Sequence, residues 1–405
     1  MKRILTFLAL IALVITVSSC QQQEKKAKYV FYFIGDGMGF SNVALAEAYQ
    51  AQTRGVIGMD PLCFTSFPVL GEATTFSASS QVTCSSAAGT ALATGFKTKN
   101  NMLGMSPDTI PLTSIAYKIH DAGYSVGIMT SVQINHATPA AFYAHNASRG
   151  AYYEIGEELP KTGFEFFAAG GIIDPCGSKE PVMESLYKIV ADSGYTVACG
   201  MEDFNAKKDA EKILLVRSEN SEDNLAYSIE RKEGDMRLAD LVGAAIEVLE
   251  RDQDGFFLMA EGGLIDWAGH SNDLASTIFE IQDLDFAVKV AYAFYEKHPD
   301  ETLIVITADH ETGGVALGGY SYGYDLTYAN TAKNMMENVD VDNYMDAAKT
   351  IGSINENARI KWTTTAHCGG PVPVWAIGAG SQKFAARQDN TDIPKKICEA
   401  MGIAF

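Results

Sequence analysis

A short stretch decides the fold of this chain: residues 256–270 have the sequence FFLMAEGGLIDWAGH. The first five residues are apolar, which is typical of a fully buried strand. The polar residues Glu261, Asp266 and His270 follow, separated by glycines and apolar residues. Open α/β sheets bind ligands beyond the carboxyl ends of their strands, and carboxylates and imidazoles are metal ligands. The stretch therefore predicts a core strand that leads into a metal site.

The rest of the chain alternates apolar runs with segments of helical periodicity. Further strands are predicted at Lys28–Ile34, Tyr124–Thr130, Thr302–Thr307 and Val372–Ile377, and a helix at Pro111–Ala122. This alternation predicts an α/β fold with a large, mainly parallel central sheet and helices on both faces. Two segments fit the alternation poorly, 154–233 and 318–361. We expect both to be excursions off the sheet that carry substrate-facing or dimer-facing surface.

Polar residues recur near the ends of the predicted strands. Outside the first stretch they are Asp36, His136, Thr138, Asp309, His310 and His367. A single aspartate after a strand usually caps a turn, but parallel strands place all these ends on one edge of the sheet. The carboxylates among them, facing each other at that edge, would repel one another unless cations were bound. Mixed Asp/His sites suit zinc, and carboxylates with a threonine hydroxyl suit magnesium.

Residues 83–95, TCSSAAGTALATG, begin with small hydroxylic residues and continue as an alanine-rich helix. This pattern predicts that Ser85 lies at or near a helix N-terminus, where backbone N–H groups and the helix dipole favour anions. A serine at such a position is either an N-cap or a nucleophile activated by a metal, and the two roles can coexist.

Taken together, these residues resemble the alkaline phosphatase family. The motifs that carry the resemblance are IGDGMG (34–39), VTCSSAAGTA (82–91), HATPAA (136–141), EGGLID (261–266), TADHETGG (307–314) and TAH (365–367). They occur in the family's order, whereas the segment 318–361 carries no resemblance. The resemblance implies a catalytic domain over residues 29–405 that hydrolyses phosphate monoesters, and it implies a homodimer.

The resemblance also implies two zinc ions and one magnesium ion. The first zinc would be bound by Asp266, His270 and His367, the second by Asp36, Asp309 and His310, and the magnesium by Asp36, Thr138 and Glu261. Ser85 would attack phosphorus and form a phosphoserine, which water then hydrolyses. Arg149 matches the family's substrate arginine, whose planar fork suits two phosphate oxygens.

Three residues depart from the best-known bacterial members of the family. Cys84 stands where they have an aspartate that helps to hold the arginine, so we expect Arg149 to be more mobile. His136 and Trp267 stand where they have Asp and Lys near the third metal. His136 is a candidate to approach that metal, which leaves its identity as magnesium open. Trp267 removes a cation near the phosphate, so we expect weaker binding of the phosphate product.

Other functions fit these residues less well than phosphomonoester hydrolysis does. A related phosphodiesterase would share both zinc sites but would need neither Arg149 nor the third metal. A sulfatase would need Cys-x-Pro-x-Arg, which the residues after Cys84 do not supply. A third alternative is a non-catalytic metal- or phosphate-binding lipoprotein. Only the N-terminal segment supports it.

Charge and the N-terminal segment bear on partners and location. The formal charge is −19, which argues against a nucleic-acid-binding domain. Residues 1–19 resemble a signal peptide, and the run before Cys20 resembles a lipobox, so 20–28 would be a polar tether. The chain is therefore expected to be exported to the periplasm or cell surface, with a lipid on Cys20 as its membrane anchor. In an exported protein, Cys176 and Cys199 are the pair expected to form a disulfide.

Overall fold

The computed structural model describes residues 25–178, 181–318, 323–332 and 347–405. The expected signal peptide, Cys20 and the first residues of the tether lie outside the described residues. In chain order the strands are β1 Tyr29–Gly35, β2 Val69–Thr74, β3 Ser125–Thr130, β4 Phe166–Ala168, β5 Thr196–Cys199, β6 Ile213–Val216, β7 Phe256–Gly262, β8 Thr302–Ala308, β9 Glu311–Thr312, β10 Val315–Leu317, β11 Ile360–Trp362, β12 His367–Cys368, β13 Val372–Gly378 and β14 Ala386–Asp389.

Helices connect most of the strands. They are α1 Phe40–Thr53, α2 Ser85–Thr94, α3 Ile115–Asp121, α4 Ala137–Ala140, α5 Tyr152–Gly156, α6 Leu186–Asp192, α7 Gly200–Lys207, α8 Leu238–Leu249, α9 Leu264–His270, α10 Leu274–Lys297, α11 Ala347–Ala358 and α12 Asp392–Met401. Short 3₁₀ turns lie at Phe64–Ser66, Leu159–Lys161, Leu326–Tyr328 and Ser381–Phe384. The predicted strands are confirmed to within one residue at their starts, whereas the helix predicted from Pro111 begins only after Ser114, whose side chain caps it.

The predicted central sheet is confirmed. It has ten strands in the order β14-β2-β13-β8-β1-β7-β3-β4-β6-β5, and only β13 runs antiparallel to its neighbours. In β3, β7 and β8 every residue is buried, and in β1 only Tyr29 is partly exposed. Successive side chains of a strand point to opposite faces, so helices must cover both faces of the sheet. One helix group packs α10 against α1, α8 and α9, and another packs α2 against α3, α4 and α12.

The central strand β1 determines where the polar residues meet. It pairs in parallel with β7 on one side and β8 on the other, so that Gly35 faces Gly262 and Ala308. Asp36 follows Gly35, Asp309 follows Ala308, and Glu261 is the last residue but one of β7. The antiparallel strand β13 starts at the same edge, which explains how His367, ahead of β13, reaches the ends of the parallel strands.

The expectation that 154–233 leaves the sheet is wrong. Its strands β4, β6 and β5 extend the sheet beyond β3 with parallel pairing. These strands have only three or four residues, and even the apolar run ILLV of β6 is too short to be told from a helical segment by its pattern.

The described part of 318–361 does lie outside the central sheet. Strand β11 pairs antiparallel with β10, away from the ten strands. A second apolar cluster packs this region onto α1 and α10 through Leu45, Ile278, Leu326 and Ile360. The predicted disulfide is also wrong: Cys176 and Cys199 are both free thiols, and both are half-buried.

A candidate metal centre beside a buried serine

Two groups of side chains at the carboxyl edge of the sheet have the geometry to hold metal ions. Asp36, Asp309 and His310 form one group, and Asp266, His310 and His367 form the other; within each group the ligand atoms all lie within 4.8 Å of one another. His310 thus belongs to both groups, whereas the sequence had suggested only one. Asp36 and Asp309 directly follow β1 and β8, and Asp266 lies in α9, the helix after β7. Their positions in the sequence predicted this placement at one edge of the sheet.

His270 joins the second group at its exposed side. Helix α9 presents Asp266 and His270 four residues apart, on one face, and His270 Nε2 lies 3.3 Å from Asp266 Oδ2. The same nitrogen lies 3.1 Å from His367 Nε2. With His367 Nε2 3.7 Å from Asp266 Oδ1, the two imidazole nitrogens and the carboxylate are mutual neighbours. Zinc prefers such a donor set.

Each of the three imidazoles is oriented by a partner of its Nδ1 atom. His270 Nδ1 lies 2.6 Å from the carbonyl oxygen of Thr365, and His367 Nδ1 lies 2.9 Å from that of Thr83. A carbonyl only accepts, so each Nδ1 carries a proton, and in the neutral ring Nε2 then presents its lone pair to the centre. His310 Nδ1 lies 3.2 Å from Thr312 Oγ1, and that hydroxyl donates to Asp266 Oδ1 at 2.5 Å.

Thr138 and Glu261 lie on the other side of Asp36. Thr138 Oγ1 donates to Asp36 Oδ2 at 3.4 Å. Thr130 donates a short hydrogen bond to Glu261 Oε2, while Oε1 of the same carboxylate is buried without a partner. Thr138 thus contacts Asp36, and the charge of Glu261 acts on the same carboxylate; the third-metal site that the resemblance implies stays a prediction.

The electrostatics of this edge favour bound cations. Burial, reinforced by the charges of Asp309, Asp266 and Glu261, raises the pKa of Asp36 well above its usual value. Burial likewise raises the pKa of Glu261 and that of Asp309 to about 7. One oxygen each of Asp36, Glu261 and Asp309 is buried without a hydrogen-bond donor. Unpartnered buried carboxylate oxygens are costly unless a cation binds them, so these residues fit divalent metal ions.

The pKa values of two of the three histidines, His310 and His367, are shifted toward the neutral ring. Burial and the neighbouring His367 hold the pKa of His310 well below its usual value, so its ring is neutral. Burial also lowers the pKa of His367. By contrast, the hydrogen bond to Asp266 raises the pKa of the half-exposed His270 to about 8. Neutral imidazoles are the form that binds metals.

Ser85 lies at the start of α2, next to these groups. It is 2% exposed, and its Oγ is 3.3 Å from His310 Nε2. Cys84, in an extended conformation, is the N-cap residue, so Ser85 is the first helical residue rather than the cap. The helix N-terminus and the His310 ring place the hydroxyl where an anion and a metal would both be stabilised.

Arg149 reaches the same edge from the loop before α5. Its Nη2 lies 3.2 Å from His136 Nε2. Burial, followed by the charge of Arg149, lowers the pKa of His136 to about 3. His136 is therefore neutral and accepts this hydrogen bond. Its Nδ1 is buried without a partner, and its ring packs edge-on against Trp267 at 5.9 Å. His136 thus contacts the arginine and is not part of either metal-binding group among the described residues.

Sequence reasoning missed several residues of this site. Thr312 bridges the two groups, Thr130 holds Glu261, and the carbonyl groups of Thr83 and Thr365 orient two histidines. Thr312 lies within the TADHETGG motif, so its position next to Asp309 and His310 was a signal that could have been used. The backbone carbonyls leave no trace in the residue types.

Comparisons with known proteins identify the family of this chain. The family model described as "Alkaline phosphatase" matches residues 27–168 and 185–403. Alkaline phosphatase 3 of Bacillus subtilis is 30% identical over an alignment that covers 95% of this chain and 93% of that protein. The crystal structure of a cold-active alkaline phosphatase from Shewanella has a TM-score of 0.81, with 29% identity over 92% of this chain and 99% of that one.

Alkaline phosphatase from the Antarctic bacterium TAB5 is similar as well, with a TM-score of 0.77 and 28% identity over 95% of this chain and 100% of that one. A histidine-to-glutamate variant of that enzyme is described with magnesium bound in its M3 site.

Proposed function

The chain belongs to the alkaline phosphatase family and is a phosphatase, and on that basis we propose that it hydrolyses phosphate monoesters through a phosphoserine formed on Ser85. The observation that carries the proposal is the position of Ser85 Oγ at a helix N-terminus, 3.3 Å from a histidine shared by two metal-binding groups. Metal-dependent displacement at phosphorus needs this juxtaposition of a hydroxyl nucleophile and metal ligands.

The donor sets fit two zinc ions and a third, harder ion. Asp266, His270 and His367 would hold one zinc, and Asp36, Asp309 and His310 the other. Asp36, Thr138 and Glu261 would hold magnesium. When bound, these ions stabilise negative charge on the attacking and leaving oxygens and on the phosphoryl group.

In the proposed reaction, Ser85 Oγ forms a bond to phosphorus as the ester P–O bond breaks in line with it. The Ser85 hydroxyl loses its proton as this bond forms and the leaving oxygen gains one, so the leaving group departs as an alcohol. Water then attacks phosphorus, the Ser85 P–O bond breaks, and inorganic phosphate is released. Backbone N–H groups at the start of α2 and the guanidinium of Arg149 orient the non-bridging oxygens throughout.

The function is tested by the release of phosphate from p-nitrophenyl phosphate, measured against bis-p-nitrophenyl phosphate. We expect hydrolysis of the monoester and little of the diester. Ser85→Ala should lose most turnover while retaining zinc, whereas Ser193→Ala, which removes an exposed hydroxyl just after α6, should match the unchanged protein. Turnover in Ser85→Ala equal to that of the parent would contradict the nucleophile assignment, and preference for the diester would contradict the substrate class.

Metal dependence has its own test. Dialysis against a chelator should abolish turnover and lower the melting temperature, and zinc with magnesium should restore both. Metal analysis by mass spectrometry should give two zinc ions and one lighter divalent ion per chain. A fully active protein without bound metal would contradict the proposed centre.

We also propose that the chain is exported and anchored through a lipid on Cys20. No helix among the described residues is long and apolar enough to cross a bilayer. Cys20→Ala should move the protein from the membrane fraction to the soluble fraction without changing turnover. The homodimer that family membership suggests is tested by light scattering of the detergent-free Cys20→Ala protein.

A further inference from the structure

The backbone of Asn101 links the start of the serine helix to the arginine loop. Asn101 N–H donates to Cys84 Sγ at 3.1 Å. The Asn101 carbonyl accepts the backbone N–H of Arg149 at 2.8 Å. A chain of two hydrogen bonds thus runs from the residue before Ser85 to the residue proposed to bind phosphate.

Asn101 has the conformation that this link requires. Its φ is +75°, in the left-handed region that Gly and Asn tolerate best. On one side, Cys84 N–H donates to Asn100 Oδ1 at 3.2 Å. On the other, Leu103 and Asn146 exchange two backbone hydrogen bonds of 2.9 Å. The loop around Asn101 is therefore clamped between α2 and the segment that carries Arg149.

The sulfur of Cys84 acts here as a hydrogen-bond acceptor for the neighbouring loop. Its side chain makes no capping hydrogen bond at the start of α2. Instead it accepts from Asn101 and lies 3.1 Å from Ser86 Oγ. A thiol cannot form the two-pronged ion pair that a carboxylate forms with a guanidinium. The Arg149 guanidinium instead contacts His136.

We propose that Cys84 is a positioning residue for Arg149, which it holds through the backbone of Asn101. The proposal rests on the proposed role of Arg149 in binding the phosphoryl group. Binding groups must be held to within about 0.5 Å of the productive geometry. Fixing the backbone from one side and the guanidinium from the other, through His136, restricts the arginine without any direct contact from residue 84.

The test is a double-mutant cycle between Cys84 and Arg149. Cys84→Ala removes the acceptor, Cys84→Ser keeps one, and Cys63→Ala is the matched control for loss of a thiol elsewhere. For each variant kcat, KM for p-nitrophenyl phosphate, the inhibition constant of inorganic phosphate, zinc content and melting temperature are measured. Each Cys84 variant is also made in the Arg149→Ala background.

Cys84→Ala should raise KM and the phosphate inhibition constant about fivefold, the size expected for one hydrogen bond, with a smaller change in kcat and unchanged zinc content. Cys84→Ser should recover most of this loss, and Cys63→Ala should show none. In the Arg149→Ala background, Cys84→Ala should have no further effect, because the residue it positions is gone.

Two results would overturn the inference while leaving the phosphatase function intact. The first is that Cys84→Ala changes KM and the inhibition constant equally with and without Arg149. The second is that Cys84→Ala lowers kcat and leaves KM unchanged. Either result would mean that Cys84 acts on Ser85 or on α2 rather than on Arg149. If Arg149→Ala alone leaves both constants unchanged, the role of Arg149 fails and this inference fails with it. Failure of the function itself would appear separately, as absence of monoester hydrolysis by the parent protein.

Discussion

The Nε2 atom of His310 lies 3.3 Å from the Oγ atom of Ser85. The same nitrogen is 3.1 Å from Asp309 Oδ2 and 3.5 Å from Asp36 Oδ1. The His310 ring also stacks on that of His367, with the ring centroids 3.6 Å apart. One imidazole therefore stands at the junction of the two metal-binding groups and beside the proposed nucleophile, so groups that hold this ring should affect both sites.

Thr312 is such a group, and Thr312→Val should weaken metal binding. The substitution keeps the shape but removes the hydroxyl that contacts both Asp266 and His310. Loss of an outer hydrogen-bond partner of a metal ligand typically costs about 10- to 100-fold in affinity. Competition with a chromophoric chelator measures it, with Thr53→Val on the exposed face of α1 as control. Equal affinities in the two variants would show that Thr312 does not orient the ligands.

Gly37→Ala should disrupt the centre. A Cβ on Gly37 would lie 2.8 Å from Thr312 Oγ1 and 2.9 Å from the Cα of Asp266, and its φ is +71°. Gly55 has the same φ with open space around it, so Gly55→Ala isolates the conformational cost of roughly 1–2 kcal/mol. We expect Gly37→Ala to be destabilised further in urea unfolding and to lose zinc. Similar free energies of unfolding for both variants would rule out the steric argument.

Trp267→Lys should strengthen inhibition by inorganic phosphate. Trp267 packs against His136, the partner of Arg149, so a lysine there adds a cation near the bound dianion. An inhibition constant lower by about tenfold is expected from one additional charge in a partly desolvated site. Trp267→Met is the control for loss of the ring without a new charge. The idea fails if the lysine variant binds phosphate no better than the methionine variant.

Glu280 should make stability depend on pH between about 4.5 and 8. Burial, followed by the charge of Asp283, raises the pKa of Glu280 from 4.5 to about 8. Below about pH 8 the carboxyl is thus neutral in the folded state. Its contribution to the free energy of unfolding is complete below pH 4.5 and is lost as the pH rises through 8. The groups that face it are Arg231, which pairs with Asp283 at 2.6 Å, and the N–H of Ser228.

Glu280→Gln keeps the acceptor for Ser228 and removes the titration. At pH 8.5 the variant should be more stable than the parent by on the order of 4 kcal/mol, and at pH 4.5 the two should be nearly equal. Urea unfolding over this range measures the difference, and the exposed Glu250→Gln is the control. A difference that does not change with pH would show that Glu280 is ionised in the folded protein.

The metal-binding residues could be found from the sequence because each follows a strand with a strong apolar pattern. Asp36, Glu261 and Asp309 are positioned by β1, β7 and β8, whose residues are apolar in long runs. Parallel pairing then brings the ends of these strands together whatever the details of the loops. The same logic failed for 154–233, where strands of three or four residues give no clear pattern.

Two features of the site could not be predicted from the sequence. One is that His310 belongs to both metal-binding groups, and the other is how the rings of His270 and His367 are oriented. His310 belongs to two groups only because Asp266 and His367 approach it from α9 and β12, a matter of tertiary distances. The partners of His270 and His367 are backbone carbonyls, which every residue type supplies. Residues 176 and 199 are close in sequence, but the fold does not join their thiols.

The central place of β1 links the amount of folded protein to the supply of metal. Asp36 meets Glu261 and Asp309 only after β1 has paired with two strands that lie more than 200 residues further along the chain. Pairings of such long range form slowly, because the entropy of closing the loop is lost before contacts compensate it. Ions that require the paired strands bind the native chain and not the unfolded one, so they stabilise it by mass action, by about 2.7 kcal/mol at a hundredfold excess over Kd. With the proposed metal centre, a higher free metal concentration would therefore raise the folded population as well as the rate of turnover.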